Sequence, residues 1–140
     1  MPGTGAYDGK PTVVPDNEVP ENRDALTREN ESAQDLSNLY NLFQNPKMPE
    51  GVNVNPDYRI NGYYYDCYAP NGSNARNIWD YIKREKVERG QASRIVLNLD
   101  DSGVSLSDLR KQFQDWPMEG LEDMIVMKNR QPIPFWDFLH

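Results

Sequence analysis

The sequence predicts an α/β fold with one mixed β-sheet, an antiparallel hairpin and flanking helices. Two β-prone runs flank Asn61-Gly62, the residue pair that favours a two-residue type I′ hairpin turn. Apolar residues recur at helical spacing both before and after this hairpin. A strand, a helix and a further strand follow, and such a crossover makes the two strands it joins parallel.

The first predicted element is a helix over residues 23–43, because one apolar stripe recurs there at spacings of three and four. Glu29 lies within that stripe, whereas Glu31 lies on the far side of the helix. A carboxylate on a buried face costs free energy unless it is paired or binds a cation. Asn45-Pro46 is expected to end the helix. The members of the stripe are Leu26, Ala33, Leu36, Tyr40 and Phe43.

The hairpin is expected to bring two acids face to face. With Asn61-Gly62 as the loop, the register continues to a pair formed by Asp57 and Asp66. Directly opposed residues have Cβ atoms about 4.5–5.5 Å apart. Two like charges at that distance are destabilising, and a divalent cation is the usual compensation. The alternative is a solvated polar hairpin that tolerates the repulsion.

A second helix is predicted from about Asn74 to Arg89, with Gly90 as a left-handed terminator. Lys86 follows Ile82 by four residues and continues the inner face, while Lys83 turns toward the edge. The remaining elements are a buried strand over 94–99, a short helix from Ser105 to about Phe113, a strand over 124–127 and a last strand near 133–135.

The chain of 140 residues is expected to form one domain over residues 23–140. Residues 1–22 are rich in proline and glycine without periodicity and predict a linker or arm. They do not resemble a signal peptide, and no apolar run approaches the ~18 residues of a membrane span.

Composition excludes several kinds of chemistry. Cys67 is the single cysteine, which excludes an internal disulfide framework and a multi-cysteine zinc site. Its alternation away from Asp66 predicts a small buried residue rather than a nucleophile. His140 is the single histidine and the last residue, a poor position for acid–base catalysis.

The net charge of −7 argues against non-specific binding of nucleic acid. However, residues 76–94 hold six bases against three acids, which predicts either a local basic face or an ordinary solvated helix. Tyr64 and Tyr68 share the Asp66 face and would stack on bases, whereas Tyr63 and Tyr65 are expected in the core. The expected substrate contacts are Lys83, Gln91, Arg94, Tyr68 and Arg76.

Three carboxylates and a lysine suit metal-assisted cleavage of a phosphodiester. The carboxylates would hold a divalent ion that polarises the phosphate and acidifies water, and the lysine would stabilise negative charge or position the water. Periodicity places Glu29 and Lys86 on inner faces only and does not show that they meet the aspartates. The proposed metal ligands are Asp57, Asp66 and Glu29, with Glu31 as the substitute for Glu29, and Lys86 is the proposed electrostatic catalyst, with Lys83 as its substitute.

The acidic hairpin is similar to the PD-(D/E)XK nuclease signature, with Pro56-Asp57 followed by Asp66. Tyr68 stands two residues after Asp66, where that signature has lysine. In some members of that group the following helix supplies the lysine, which would let Lys86 or Lys83 serve.

A longer resemblance covers roughly residues 22–136. Seven strings in order resemble the C-terminal tRNA nuclease domain of CdiA-type contact-dependent growth inhibition toxins. Residues 37–40 depart from that pattern, since Ser-Asn-Leu-Tyr stands where Ala and Gly-Tyr are usual, and this puts the end of the first helix in question. The matching strings are residues 28–33, 44–46, 55–58, 66–70, 76–79, 90–92 and 94–102.

The resemblance implies a metal-dependent tRNase with a restriction-endonuclease-like core. It also implies Mg²⁺ or Mn²⁺, with Zn²⁺ as an alternative, and a cognate immunity protein with which the chain forms a heterodimer when it is not a monomer. Such a domain is expected to be secreted as the C-terminal part of a larger effector and to act in the target-cell cytoplasm.

Two other functions remain open at this stage. One is a non-catalytic binding module whose acidic hairpin meets a basic partner, and the other is a metal-independent RNase toxin, which the lack of an internal histidine disfavours. A nuclease needs its acids and lysine in one metal-sized site. A binding module needs only an exposed acidic surface.

Overall fold

The computed structural model describes residues 5–133 and confirms a mixed α/β sheet with flanking helices. Its strands follow one another in chain order across a seven-stranded sheet. The elements are β1 Tyr7–Gly9, α1 Pro20–Ser37, β2 Leu42–Gln44, β3 Tyr58–Ile60, β4 Tyr63–Tyr68, α2 Ala75–Tyr81, a π-helical segment Ile82–Val87, β5 Arg94–Asn98, α3 Leu106–Asp115, β6 Asp123–Lys128 and β7 Gln131–Ile133. Strands β4, β5 and β6 are parallel, and the hairpin β3–β4 is antiparallel.

Strand β5 divides its side chains between two apolar cores. Ile95 and Leu97 pack with residues of α2 and α3, whereas Val96 packs with residues of α1. Successive strand residues point to opposite faces, so the helices cover both faces of the sheet. No helix within residues 5–133 has the length and apolarity to cross a membrane.

The first helix differs from its prediction at both ends. It begins at Pro20, since the first turn of a helix needs no N–H from that residue. It ends at Ser37 instead of residue 43, and the N–H of Asn38 reaches carbonyl groups of the last turn. Residues 42–44 form β2 and pair with β3. Their apolar pattern is too short to separate a strand from a helix by periodicity.

Part of the predicted arm lies against the rest of the chain. Residues 7–9 form β1, which pairs in parallel with β2. The Thr12 hydroxyl donates a hydrogen bond to the carboxylate of Glu29. The predicted division between residues 1–22 and 23–140 stays a prediction, but these contacts connect the first segment to the second.

Gly9 gives a test of whether β1 belongs to the folded unit. It has φ +87°, and a Cβ there would lie 2.0 Å from the backbone oxygen of Gln44. Gly51 is a matched control, with φ +88° and no atom within 4 Å of the added Cβ. Both alanine variants strain the backbone, but only Gly9→Ala also overpacks a neighbour. We expect Gly9→Ala to lower the free energy of unfolding in urea by about 2 kcal/mol more than Gly51→Ala. Equal losses would show that β1 does not stabilise the domain.

The hairpin has the predicted turn and register. Asn61 has φ 49° and Gly62 has φ 91°, and a type I′ turn requires positive φ at both positions. The paired residues are Ile60 with Tyr63, Arg59 with Tyr64 and Tyr58 with Tyr65.

The ladder stops one pair before the two aspartates. On the other edge of β4, Asp66 pairs with Ile95 of β5, and the backbone N–H of Asp57 donates to the Asp66 carboxylate at 3.3 Å. The hairpin strands thus part at the acids, where the Asp57 side chain accepts a hydrogen bond from the Cys67 N–H.

The second helix changes geometry at Ile82. α2 begins after Asn74, whose side chain accepts a hydrogen bond from the Asn77 N–H. Residues 82–87 are π-helical, and the Glu88 N–H bonds the Lys83 carbonyl five residues back at 2.8 Å. Such segments are rare and are frequent at functional sites.

The later elements follow their predictions closely. Gly90 has φ +71°, and the Ser105 side chain caps α3 by accepting from the Asp108 N–H at 3.3 Å. Strand β7 is described over Gln131–Ile133. The predicted strand end at Phe135 and the terminal His140 lie outside the described residues.

Candidate active site

Four predicted side chains from four places in the sequence lie together. The Nζ atom of Lys86 is 2.9 Å from Oδ2 of Asp66. The Cys67 N–H donates to Oδ2 of Asp57 at 2.8 Å, and the Asp57 side chain shares a hydrogen bond with that of Glu29. We call Glu29, Asp57, Asp66 and Lys86 the acid–lysine cluster.

The cluster is largely buried. Glu29 is 8% exposed and Asp66 is 3% exposed, while Asp57 and Lys86 are partly buried. Glu29 comes from the middle of α1, Asp57 precedes β3, Asp66 lies in β4 and Lys86 lies in the π-helical segment. Packing of α1 and the π-helical segment against the parted hairpin therefore assembles the cluster.

Burial and mutual repulsion favour the protonated forms of two of the acids. Burial, followed by the charges of Glu29 and Asp66, raises the pKa of Asp57 to about 8. Burial also raises the pKa of Glu29, although hydrogen bonds with Thr12 and Asp57 oppose that shift. A hydrogen bond between two carboxyl groups requires a proton on one of them. The cluster therefore retains a proton at neutral pH.

Lys86 keeps its charge despite its burial. Burial alone would lower the pKa of Lys86, but the charge and hydrogen bond of Asp66, together with the charge of Asp57, raise it above its ordinary value. The side chain of Lys86 is only 15% exposed. The site thus holds a cation aimed at the carboxylates.

The donor set fits a hard divalent cation by its chemistry. Such cations take carboxylate oxygens, and the cluster sets three acids against a single lysine. Among residues 5–133, no three histidine, cysteine, aspartate or glutamate side chains are already arranged as a metal site. The carboxylate oxygens are engaged instead with one another, with Lys86 and with Thr12. A cation would replace the retained proton, since metal ligands must be deprotonated.

A cleft of about 530 Å³ opens onto Glu29 and Lys86. Tyr68 lines it and stacks on Tyr81, with ring centroids 4.2 Å apart. Cys67 also lines the cleft, but burial raises the pKa of its thiol and disfavours the nucleophilic thiolate. The volume falls within the range of ligand sites, about 300–1,000 Å³.

The two substitute residues are held elsewhere. Glu31 forms ion pairs with Arg28 and Arg130. Lys83 pairs with Glu88 at 2.7 Å, and its side chain is 42% exposed. Neither side chain joins the acid–lysine cluster.

The predicted basic residues lie on separate surfaces. The Arg76 guanidinium lies 3.8 Å from the centroid of the Trp116 ring, and the Arg94 guanidinium lies 4.4 Å from that of Tyr63. Tyr65 is buried as predicted, but the core placement of Tyr63 is wrong because it is 56% exposed. Tyr63 begins β4 beside the turn, where the core no longer covers the strand.

Sequence reasoning missed one contact in the site. Thr12 bonds Glu29, yet the segment before residue 22 has no periodicity that could signal this contact. Tyr64, which alternation places on the Asp66 face, is 39% exposed and lines a groove with Gln91.

Comparison with known proteins identifies the family. A family model described as the contact-dependent growth inhibition CdiA C-terminal domain matches residues 54–133. The chain is 43% identical over 127 residues to the tRNA nuclease CdiA-2 of Burkholderia pseudomallei (strain 1026b). This match covers 89% of the chain but only 4% of that protein.

A solved structure, the CdiA-CT/CdiI toxin and immunity complex from Burkholderia pseudomallei, contains a similar chain. The two chains align with a TM-score of 0.83 and 40% sequence identity, over 91% of this chain and 96% of that one. The resemblance inferred from the sequence is confirmed: the chain belongs to the family of CdiA C-terminal toxin domains of contact-dependent growth inhibition.

Proposed function

We propose that the domain is a divalent-metal-dependent endoribonuclease that cleaves tRNA. The observation that carries this proposal is the acid–lysine cluster beside the 530 Å³ cleft. The similar protein from Burkholderia pseudomallei is named a tRNA nuclease, which supports both the reaction and the substrate. The arrangement of Asp57, Asp66 and a helix-borne Lys86 supports a PD-(D/E)XK-like core.

Burial separates this proposal from a non-catalytic binding module. A module that meets a basic partner through acids needs them on the surface, but Glu29 and Asp66 are buried. Gathering like charges in a buried site costs free energy. Buried acids with shifted pKa values are concentrated at active sites, where catalysis requires them. The cluster therefore favours a catalytic function.

The roles of the residues follow from their surroundings. Glu29, Asp57 and Asp66 would hold Mg²⁺ or Mn²⁺, with Zn²⁺ as an alternative. When bound, the metal ion would supply Lewis-acid polarisation of the phosphate and lower the pKa of water. Lys86, charged and fixed by Asp66 at 2.9 Å, would stabilise the negative charge that develops on the phosphate.

Tyr68 and Tyr81 would shape the cleft around the RNA strand. Their stacked pair forms a flat apolar wall next to Lys86. Bases stack on such surfaces in proteins that bind RNA. Arg76, Lys83, Gln91 and Arg94 are proposed to contact phosphates outside the cluster.

The proposal includes a partner and a place of action. The solved relative is a toxin bound to its immunity protein, which supports a cognate immunity protein for this chain, in a heterodimer. The curated relative is far longer than this chain, which supports delivery as part of a larger effector. A tRNA substrate would place its action in the target-cell cytoplasm.

Expression in a bacterial cytoplasm tests the function. We expect induction of this chain to stop growth while full-length tRNA disappears on denaturing gels. Asp66→Asn should restore growth and intact tRNA, because it removes a ligand charge and the partner of Lys86. Glu119→Gln, a charge-matched surface change, should leave both effects in place. Growth arrest with intact tRNA would refute the substrate.

A further inference from the structure

A second groove of about 430 Å³ is separate from the cleft. It is lined by Tyr63 and Tyr64 of the hairpin and by Gln91 and Arg94, which follow the π-helical segment. Val54 from the loop before β3 adds an apolar wall. We call this depression the tyrosine groove.

The groove displays aromatic surface that the fold does not use. Tyr63 is 56% exposed and Tyr64 is 39% exposed, although Tyr65, the next residue of the same strand, is buried. The Arg94 guanidinium lies 4.4 Å from the centroid of the Tyr63 ring. Exposed rings beside an arginine are the features on which unpaired bases stack.

The groove is continuous with the acid–lysine cluster. Tyr64 precedes Asp66 by two residues on the same face of β4, a distance of about 7 Å along a strand. Val87 lines the groove and directly follows Lys86, which lines the cleft. Lys86 and Val87, adjacent in the π-helical segment, therefore connect the cleft to the groove. An RNA strand cut beside Lys86 would extend toward the groove.

Arg94 is available to a phosphate. Its partner in the structure is Glu122, at 2.7 Å, and the Glu122 side chain is 55% exposed. Exposed ion pairs contribute little stability, since water and salt screen them. A phosphate can therefore replace Glu122 at small cost and gain a charge-assisted hydrogen bond.

We propose that the tyrosine groove is a subsite for one unpaired base of the RNA, stacked on Tyr63 or Tyr64 while Arg94 neutralises the adjoining phosphate. The occupant must be unpaired, because a base within a duplex presents no free face for stacking. The inference rests on the proposed ribonuclease function and narrows its target to phosphates beside an unpaired nucleotide.

Ring-removing and ring-retaining variants test the subsite. We expect the double variant Tyr63→Leu/Tyr64→Leu to raise KM for bulk tRNA about tenfold or more, with kcat changed less than about threefold. A stacked base contributes about 1–3 kcal/mol, and 1.4 kcal/mol is tenfold. Tyr63→Phe/Tyr64→Phe keeps both rings and should restore most of the affinity that the leucine pair loses. Tyr7→Leu is the matched control, since Tyr7 is 43% exposed on β1, far along the sheet.

Binding is measured separately, by anisotropy of labelled bulk tRNA on the Lys86→Met background. There the leucine pair should weaken Kd by the same factor as KM. The subsite would be overturned if the leucine pair bound and cleaved tRNA like wild type. It would also be overturned if the leucine pair lost affinity only for an immunity protein and not for tRNA. If the chain fails to cleave tRNA yet binds it through both rings, the subsite stands and the ribonuclease proposal fails. If it does neither, both fail.

Discussion

Lys86→Met is expected to slow tRNA cleavage by about 10²-fold or more, which is the usual effect of deleting a preorganised electrostatic donor. Lys86 is charged, buried and 2.9 Å from Asp66, so the variant removes the cation nearest the proposed metal ligands. The effect should fall on kcat in single-turnover assays, with KM for tRNA little changed. Lys86→Arg keeps the charge and should recover part of the rate.

Lys83→Met is the matched control for this experiment. Lys83 lies on the same π-helical segment, but its ammonium pairs with Glu88 and its side chain is 42% exposed. We expect single-turnover kcat at saturating tRNA within about threefold of wild type, because Lys83 does not reach the cluster and its exposed ion pair contributes little. Any loss should fall on KM, since Lys83 is proposed to contact a phosphate outside the cluster. A large loss in Lys83→Met with none in Lys86→Met would show that the wrong lysine has been assigned. Full activity in both variants would end the proposed role for lysine.

Glu29→Gln is expected to lower the apparent affinity for Mg²⁺ or Mn²⁺ by about 10²-fold, with a parallel loss of cleavage at limiting metal. The change keeps the size of the side chain but removes one of three carboxylate charges. In EDTA, however, the variant should unfold at the same temperature as wild type or higher. The reason is that burial and like charges disfavour the ionised Glu29 and Asp57 in the folded state.

Glu31→Gln is the matched control, because Glu31 is a carboxylate on the same helix as Glu29 but not a proposed metal ligand. Glu31 pairs with Arg28 and Arg130 and does not reach the cluster. This variant should retain wild-type metal affinity and lose at most a little stability. A similar loss of metal affinity in both variants would mean that α1 presents a different face to the metal from the one proposed.

Local chemistry explains which parts of the fold could be predicted. The Asn61-Gly62 turn is specified by the two residues that form it, and the Ser105 cap is specified by its own hydroxyl. Strand β1 was missed because it exists only through its pairing with β2. The helix predicted over 23–43 wrongly includes residues 42 and 43 of β2, because so short a strand carries too little periodicity.

The site was predictable only up to the faces of its elements. Periodicity placed Glu29 and Lys86 on inner faces, and turn chemistry placed Asp57 near Asp66. That Glu29 and Lys86 meet these aspartates depends on how two helices pack against a parted hairpin, which no short-range pattern encodes. Tyr63 was predicted in the core and is exposed, because alternation indicates the face of a strand on which a residue lies but not where the core ends.

Cleavage of tRNA by the metal-stripped domain tests the central claim most directly. The purified chain is treated with EDTA, desalted, and incubated with bulk tRNA while Mg²⁺, Mn²⁺ or Zn²⁺ is added back. We predict no cleavage in EDTA and recovery with at least one of these ions. Asp57→Asn and Asp66→Asn, which remove two of the proposed ligand charges, should not recover at the same concentrations. Full-rate cleavage in EDTA, or normal recovery by both variants, would contradict a metal-dependent nuclease centred on these acids.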